Sequence, residues 1–184
     1  MTIFYVVQHA EKLPDPGDPG LTELGRRQAA RTARWLGEAG LAAVFSSPMR
    51  RARETAEAIA SATGLPVVED VRLRERMNWD GAQPIEEFLA DWATSVRDRS
   101  FVPPTGDSSQ QAAARFQGFL RDLAEAAGPI AVCTHGGVTV DLLRTLIGDR
   151  ALAPSLLENG VPPCAITTID GQVVRSVAAV HHLA

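Results

Sequence analysis

Four histidines occur in the 184 residues, and two of them occupy equivalent places. His9 follows "FYVVQ" and His135 follows "IAVCT", so each lies where an apolar, β-branched run ends. In an open α/β sheet that edge, the C-terminal ends of the strands, is where ligands bind. One imidazole there reads as a hydrogen-bonded loop residue; two at the same edge weaken that reading. A neutral imidazole can serve as a nucleophile or as a hydrogen-bond donor to developing charge. Gly136-Gly137, directly behind His135, permits close backbone approach at a helix N-terminus, where free N–H groups favour an anion. The other pair, His181-His182, reads as a solvated tail after a strand.

The elements that must position these side chains alternate between apolar runs and longer helical patterns, the signature of helices packed over a largely parallel sheet. "TIFYVV", "AAVFSS", "PVVED" and "PIAVCTH" read as strands, the last of them buried on both faces. "LTELGRRQAARTARWLGEAG" carries Leu24, Ala29, Ala33 and Leu36 at helical spacing and stops at Gly40, and "RARETAEAIASATG" is a helix ended by Gly64. "DSSQQAAARFQGFLRDLAEAAG" and "GGVTVDLLRTLIG" are further helices. "CAITTID" and "QVVRSVAAV", joined at Asp170-Gly171, predict a closing hairpin. The stretch from Val71 to Thr105 breaks the alternation, with Pro84 at a helix start and Pro103-Pro104 at its exit. We expect one α/β domain over residues 1–184, with a helical insertion at about residues 72–106.

Composition narrows the function classes. A formal net charge of −4 and 45% hydrophobic residues are ordinary for a globular protein and speak against disorder or broad nucleic-acid binding. No apolar stretch reaches the length of a membrane span, and the N-terminus lacks a cleavable leader pattern, so a cytoplasmic protein is expected. Cys133 and Cys164 sit in apolar surroundings and read as reduced, buried thiols. Zinc is a weak alternative: Cys133-x-His135 offers two ligands and His9 the only further histidine nearby, without the spacing of a metal site.

Taken in order, His9 in "QHAEK", Arg51 in "SSPMRRARETA", Glu75 in "LRERMNWDG", "TGDSS" at 105–109 and His135 in "VCTHGG" resemble the motifs of the histidine phosphatase superfamily, the phosphoglycerate mutase-like family. "LTELGRRQA" is similar to that family's helix after the first motif, and the resemblance runs from about Val6 to Gly148. It implies a three-layer α/β/α sandwich with a mostly parallel mixed sheet, a pocket at the strand ends, a phosphohistidine intermediate and no cofactor or metal. It also implies that Glu75 is the proton donor. A carboxyl enclosed beside a dianion has a raised affinity for its proton.

The residue types suit phosphoryl transfer, which needs an in-line nucleophile, neutralised oxygens and a proton for the leaving alcohol. His9 can attack phosphorus, Arg51 offers a fork of donors for phosphate oxygens, and His135 can donate to an equatorial oxygen. Arg50 and Arg53 read as helix-surface residues. The departure is Gln8, which stands where the family has arginine before the nucleophile. Glutamine still donates, but without charge or fork, and loss of one preorganised donor commonly costs about 10²–10³ in rate. Lys12 is the candidate to supply the missing cation. Ala10 and Asp107 are milder departures from the family's glycine and glutamate.

Three readings follow. The first is a phosphomonoesterase acting on a small phosphorylated metabolite, the second a catalytically degenerate protein that binds a phosphate ligand, the third a phosphoglycerate mutase. The compact segment between Glu75 and Asp107 disfavours the mutase, since little chain remains to enclose a bisphosphate. Trp79, Phe88 and Trp92 form either a wall of the leaving-group pocket or the insertion's own small core, the commoner fate. Arg74, Arg76 and Lys12 hint at an anionic leaving group. The expected partner is a small phosphate ester or inorganic phosphate, with no nucleic acid and no membrane; the oligomeric state is not encoded in any motif.

Overall fold

The computed structural model describes residues 1–184 and places six strands in one sheet, in the order β3-β2-β4-β1-β5-β6. β1 (Ile3–Gln8), β2 (Ala43–Ser46), β3 (Val67–Glu69) and β4 (Ile130–Thr134) are parallel to their neighbours among themselves. β5 (Ile166–Asp170) runs antiparallel to β1, and β6 (Val173–Ala179) antiparallel to β5. The hairpin loop is Gly171-Gln172, one residue beyond the expected Asp170-Gly171, because Asp170 still pairs with Val173, and Gly171 takes a positive φ of 62°.

Alternation along the central strands creates two cores. On one face Phe4, Val6, Ile130 and Val132 pack with Phe116, Phe119, Val138 and Leu142, the inner faces of α4 (Ser109–Asp122) and α5 (Gly136–Leu146). On the other, Val7, Ala131 and Cys133 pack with Ala33, Leu36, Ala56 and Ile59 of α1 (Glu23–Gly37) and α2 (Arg50–Thr63). The result is the expected mixed-sheet α/β sandwich. Both cysteines are free and fully buried, and burial pushes the Cys164 thiol up to about 11.

Several elements differ from the sequence expectation. In α1 the inward residue is Gly25 and not Leu24, which is exposed. A Cβ at Gly25 would lie 2.0 Å from the Glu11 carbonyl oxygen, so the glycine lets α1 press against the loop leaving His9. α4 ends at Asp122, short of the "LAEAAG" through which the helix was expected to run, and the chain continues in turns to β4. Its start is sharp, because Ser108 and Gln111 form a reciprocal capping box. A short helix, α6 (Pro154–Asn159), was not anticipated, although Pro154 at its first position and Gly160 after its end are the usual start and stop signals.

His181 and His182 are not a solvated tail. They sit in a 3-10 turn on α1, where Trp35 lies 5.8 Å from each ring and the His182 Nε2 is 3.1 Å from the Thr32 hydroxyl. The segment between β3 and α4 carries a 3-10 turn (Val71–Leu73) and α3 (Ile85–Arg97). α3 buries only Ser95, so it is a cover and not a core helix.

Candidate active site

Strand register assembles the site. Gln8 of β1 pairs with Thr134 of β4, and Ser46 of β2 with Cys133, so His9, His135 and Ser47 emerge side by side at one edge of the sheet. The His9 backbone N–H donates to the Thr134 carbonyl (3.0 Å), and the Ala10 N–H donates to the Thr55 hydroxyl (3.0 Å). Thr55 in turn donates to the Arg51 carbonyl, which ties the His9 turn to the helix that carries Arg51.

The two faces of the His9 ring system are distinct. Nδ1 lies 2.8 Å from the Ala10 carbonyl, which can only accept, so Nδ1 carries the proton. Nε2 is therefore bare and accepts from Arg51 Nε at 3.3 Å. Burial first, then the Arg51 charge, push the His9 pKa down from 6.5 to about 3; the Ala10 carbonyl opposes this and Lys12 adds to it. The outcome is a neutral imidazole with one free lone pair beside a guanidinium.

Arg51 is 4% exposed and unevenly partnered. Its Nη2 donates to Asn78 (3.3 Å), whereas Nη1 is buried with no hydrogen-bond partner and has only the Asp18 carboxylate at 3.9 Å. An unsatisfied buried donor is costly. Asp18 is itself held by the Arg50 N–H at the start of α2. Arg50 and Arg53 are surface residues paired with Glu54 and Glu57, as expected.

The His135 ring stands edge-on to His9, centroids 5.3 Å apart, with Nε2 2.8 Å from the Ser47 hydroxyl. It is fully buried, its Nδ1 has no partner, and burial with the neighbouring Arg51 charge holds its pKa well below the ordinary histidine value.

Glu75 departs from the expectation for Gly136-Gly137. Its Oε2 accepts from the Gly137 N–H (3.0 Å), and its Oε1 from the N–H groups of Val138 (2.8 Å) and Arg76 (2.7 Å). The amides at the start of α5 are thus already occupied by a carboxylate. A Cβ at Gly137 would lie 2.6 Å from Glu75 Oε1 and 2.7 Å from Trp92, so only glycine allows this approach. Arg115 supports the segment from behind, donating to the Glu75 and Arg72 carbonyls and to Asp107.

Gln8 is 8% exposed; its amide lies against Gly136, and its Oε1 is buried without a partner. Lys12 donates to the Leu13 carbonyl, and burial and the Arg51 charge lower its hold on its proton. The hint of an anionic leaving group loses two of its three supports. Arg74 is paired with Asp107, and Arg76, 2% exposed, is paired with fully buried Asp141. Trp92 stacks on the Arg76 guanidinium at 4.3 Å and packs beside half-buried Phe88, so the aromatics do not form a separate core. Trp79 is fixed apart from them by its indole N–H on the Gln83 carbonyl.

Sequence reasoning missed Ser47, Thr55, Asn78 and Asp18, the residues that aim the recognised ones. Ser47 and Thr55 flank Arg51 in the chain, the one local signal that could have drawn attention to them.

Two buried imidazoles bear on stability. Below pH 6.5 the unfolded chain takes up a proton at His9 that the folded site refuses until about pH 3. Its contribution is therefore nearly complete above pH 6.5 and declines as pH falls, by about 3 kcal/mol at pH 4.5. Urea unfolding of wild type and His9→Asn between pH 7.5 and 4.5 checks this: the variant should lose less stability on acidification, and parallel profiles would contradict the assignment.

A neutral imidazole with a bare nitrogen, a second imidazole and a partly unpaired arginine stand together at the strand ends of an α/β sandwich. The sequence profile of the histidine phosphatase superfamily (branch 1) matches residues 7–179, and the chain belongs to that family. It is 30% identical over 204 residues to a probable phosphoglycerate mutase, GpmB, of Escherichia coli, covering 97% of this chain and 94% of that protein. A mycobacterial glucosyl-3-phosphoglycerate phosphatase solved with VO3 superposes with a TM-score of 0.74 at 25% identity, over 98% of both chains. A phosphoglycerate mutase from Bacillus anthracis shares the fold, with a TM-score of 0.80 at 18% identity over 99% of this chain and 95% of the other.

Proposed function

We propose that the protein is a phosphomonoesterase acting on a small phosphorylated metabolite through a phosphohistidine on His9. The observation that carries this reading is the His9 ring itself, with Nδ1 tethered to Ala10 and a bare Nε2 facing Arg51. In the first step Nε2 bonds to phosphorus as the ester P–O bond breaks, and the leaving oxygen takes a proton from Glu75 in its acid form, held on Oε2, which accepts only the Gly137 N–H. Arg51 Nε and the unpartnered Nη1 turn to the equatorial oxygens, and His135 donates to another. Water, deprotonated by Glu75, then attacks phosphorus and releases inorganic phosphate, restoring the bare Nε2. No step calls for a metal or cofactor.

The mycobacterial phosphatase solved with VO3 supports a phosphate-type ligand, since VO3 is an oxyanion. A second reading, a pocket kept for phosphate recognition, draws support from uncharged Gln8 and from Glu75 being engaged by three backbone N–H groups. The mutase name of the Escherichia coli relative keeps a third in view.

Hydrolysis of a generic aryl phosphate by wild type, Gln8→Arg and Lys12→Ala separates the first two. The phosphatase reading expects measurable wild-type turnover, a rise of ten-fold or more in Gln8→Arg, as follows from about 10²–10³ per preorganised donor, and a fall in Lys12→Ala. Silence in all three, with phosphate still raising the melting temperature, supports the binding protein instead.

A further inference from the structure

A cavity of 260 Å³ opens between α3, α5 and α6, walled by Trp92, Val96, Val140, Leu156 and Leu157, with Arg76 and Arg144 behind them. Gly136 and Gly137 also line it. Gly136 lies against the Gln8 amide, next to His9, and over Gly137 the Glu75 carboxylate and the Trp92 ring meet. The catalytic side chains are not in the lining, but Gly137, which is, donates its N–H to Glu75, so the cavity adjoins the carboxyl that would deliver a proton to a leaving oxygen. The larger cavity, 430 Å³ between Met1, Leu120 and Gly171, is at the opposite edge of the sheet and touches none of these groups.

We propose that the cavity between α3, α5 and α6 receives the leaving group of the ester, and that it is built for an uncharged, hydroxyl-bearing one. This rests on the reading that His9 accepts the phosphoryl group.

Charge balance is the first argument. Arg76 is fixed on both oxygens of Asp141 at 2.7 and 2.9 Å, and Arg144 holds Asp149 through two bonds of 2.8 Å. Neither cation is free, and Glu158 adds a negative charge to the lining. A carboxylate or second phosphate entering here would be desolvated without a counter-charge.

The second argument is hydrogen-bond inventory. Arg76, in the lining, has a buried Nε donor without a partner, and Gln8 Oε1, which lies against the lining residue Gly136, is a buried acceptor without one. A hydroxyl group both donates and accepts, so a polyol can satisfy the two together, whereas a carboxylate can only accept. Apolar faces of Trp92, Val140 and Leu157 suit the C–H surfaces of such a molecule.

The test is calorimetric binding to the His9→Asn protein, with and without Leu157→Trp, a substitution on the outer wall that fills the cavity. Val140→Phe fills it from the inner wall and serves if the first variant does not fold. The ligands are inorganic phosphate, glucose 6-phosphate and 3-phosphoglycerate. The proposal expects glucose 6-phosphate to bind at least ten-fold tighter than phosphate, 3-phosphoglycerate to gain nothing, and the filled cavity to erase the sugar ester's advantage while leaving phosphate affinity unchanged. An advantage that survives filling, or a preference for 3-phosphoglycerate, overturns the cavity assignment alone. Failure of inorganic phosphate to bind overturns the reading of the His9 site, and the cavity assignment with it.

Discussion

His9→Asn should abolish phosphoester hydrolysis, with a loss on the order of 10⁴-fold or more, while the protein stays folded. Losing a nucleophile removes the covalent route, and what remains is electrostatic binding of the ester by the other groups. The neutral state that burial and Arg51 impose, with a pKa near 3, makes Nε2 available at every pH from about 4 upward. The acid limb of the rate profile should therefore belong to another group or to the substrate. A purified variant that keeps more than one part in a hundred of the wild-type rate, after its fold is verified by circular dichroism, would place the nucleophile elsewhere.

Arg76→Met should be the most destabilising single change near the site, by about 3–5 kcal/mol, because it strands the fully buried Asp141 carboxylate. Burial already pushes the Asp141 carboxyl up to about 6, with Arg76 and Ser109 opposing. This group acts in the opposite sense to His9. Its folded pKa is raised, so its contribution is fullest below about pH 4 and is lost as pH rises through 6. The penalty in Arg76→Met should accordingly shrink in acid, where Asp141 can take a proton. Replacing both partners, Arg76→Met with Asp141→Leu, should recover most of the loss, because packed apolar groups need no counter-ion. Urea midpoints of the single and double variants at pH 7 and pH 5 measure this. Equal destabilisation by both variants would mean that stacking on Trp92, and not charge compensation, holds the segment.

The sheet and the residues at its edge were legible because they follow from periodicities of two and 3.6 and from punctuation by glycine and proline. "IAVC" is an unbroken apolar run because β4, buried at every position, has helices on both faces, and that pattern sets His135 near a strand end. What escaped the sequence depends on long-range contact. Nothing local says that Glu75 would reach 62 residues ahead to the Gly137 N–H, or that Arg76 would sink beneath Trp92 onto Asp141. The consecutive charged residues Arg74, Glu75 and Arg76 are sorted by the fold: Arg74 pairs near the surface, Arg76 is buried in an ion pair and Glu75 sits on the α5 amides. α1 shows the same limit on a smaller scale: Leu24 fits the helical spacing, yet close approach to Glu11 demanded that Gly25 be the inward residue.

The proposed reaction requires a phosphohistidine on His9, and that species can be trapped. Wild-type protein mixed with a phosphoester and quenched in alkali within the first turnovers should carry one added phosphoryl group. Peptide mass spectrometry should place it on His9, and it should be stable to base and lost in acid. The same treatment should leave His9→Asn unlabelled. Turnover without label on His9, or label that persists in His9→Asn, would contradict the account.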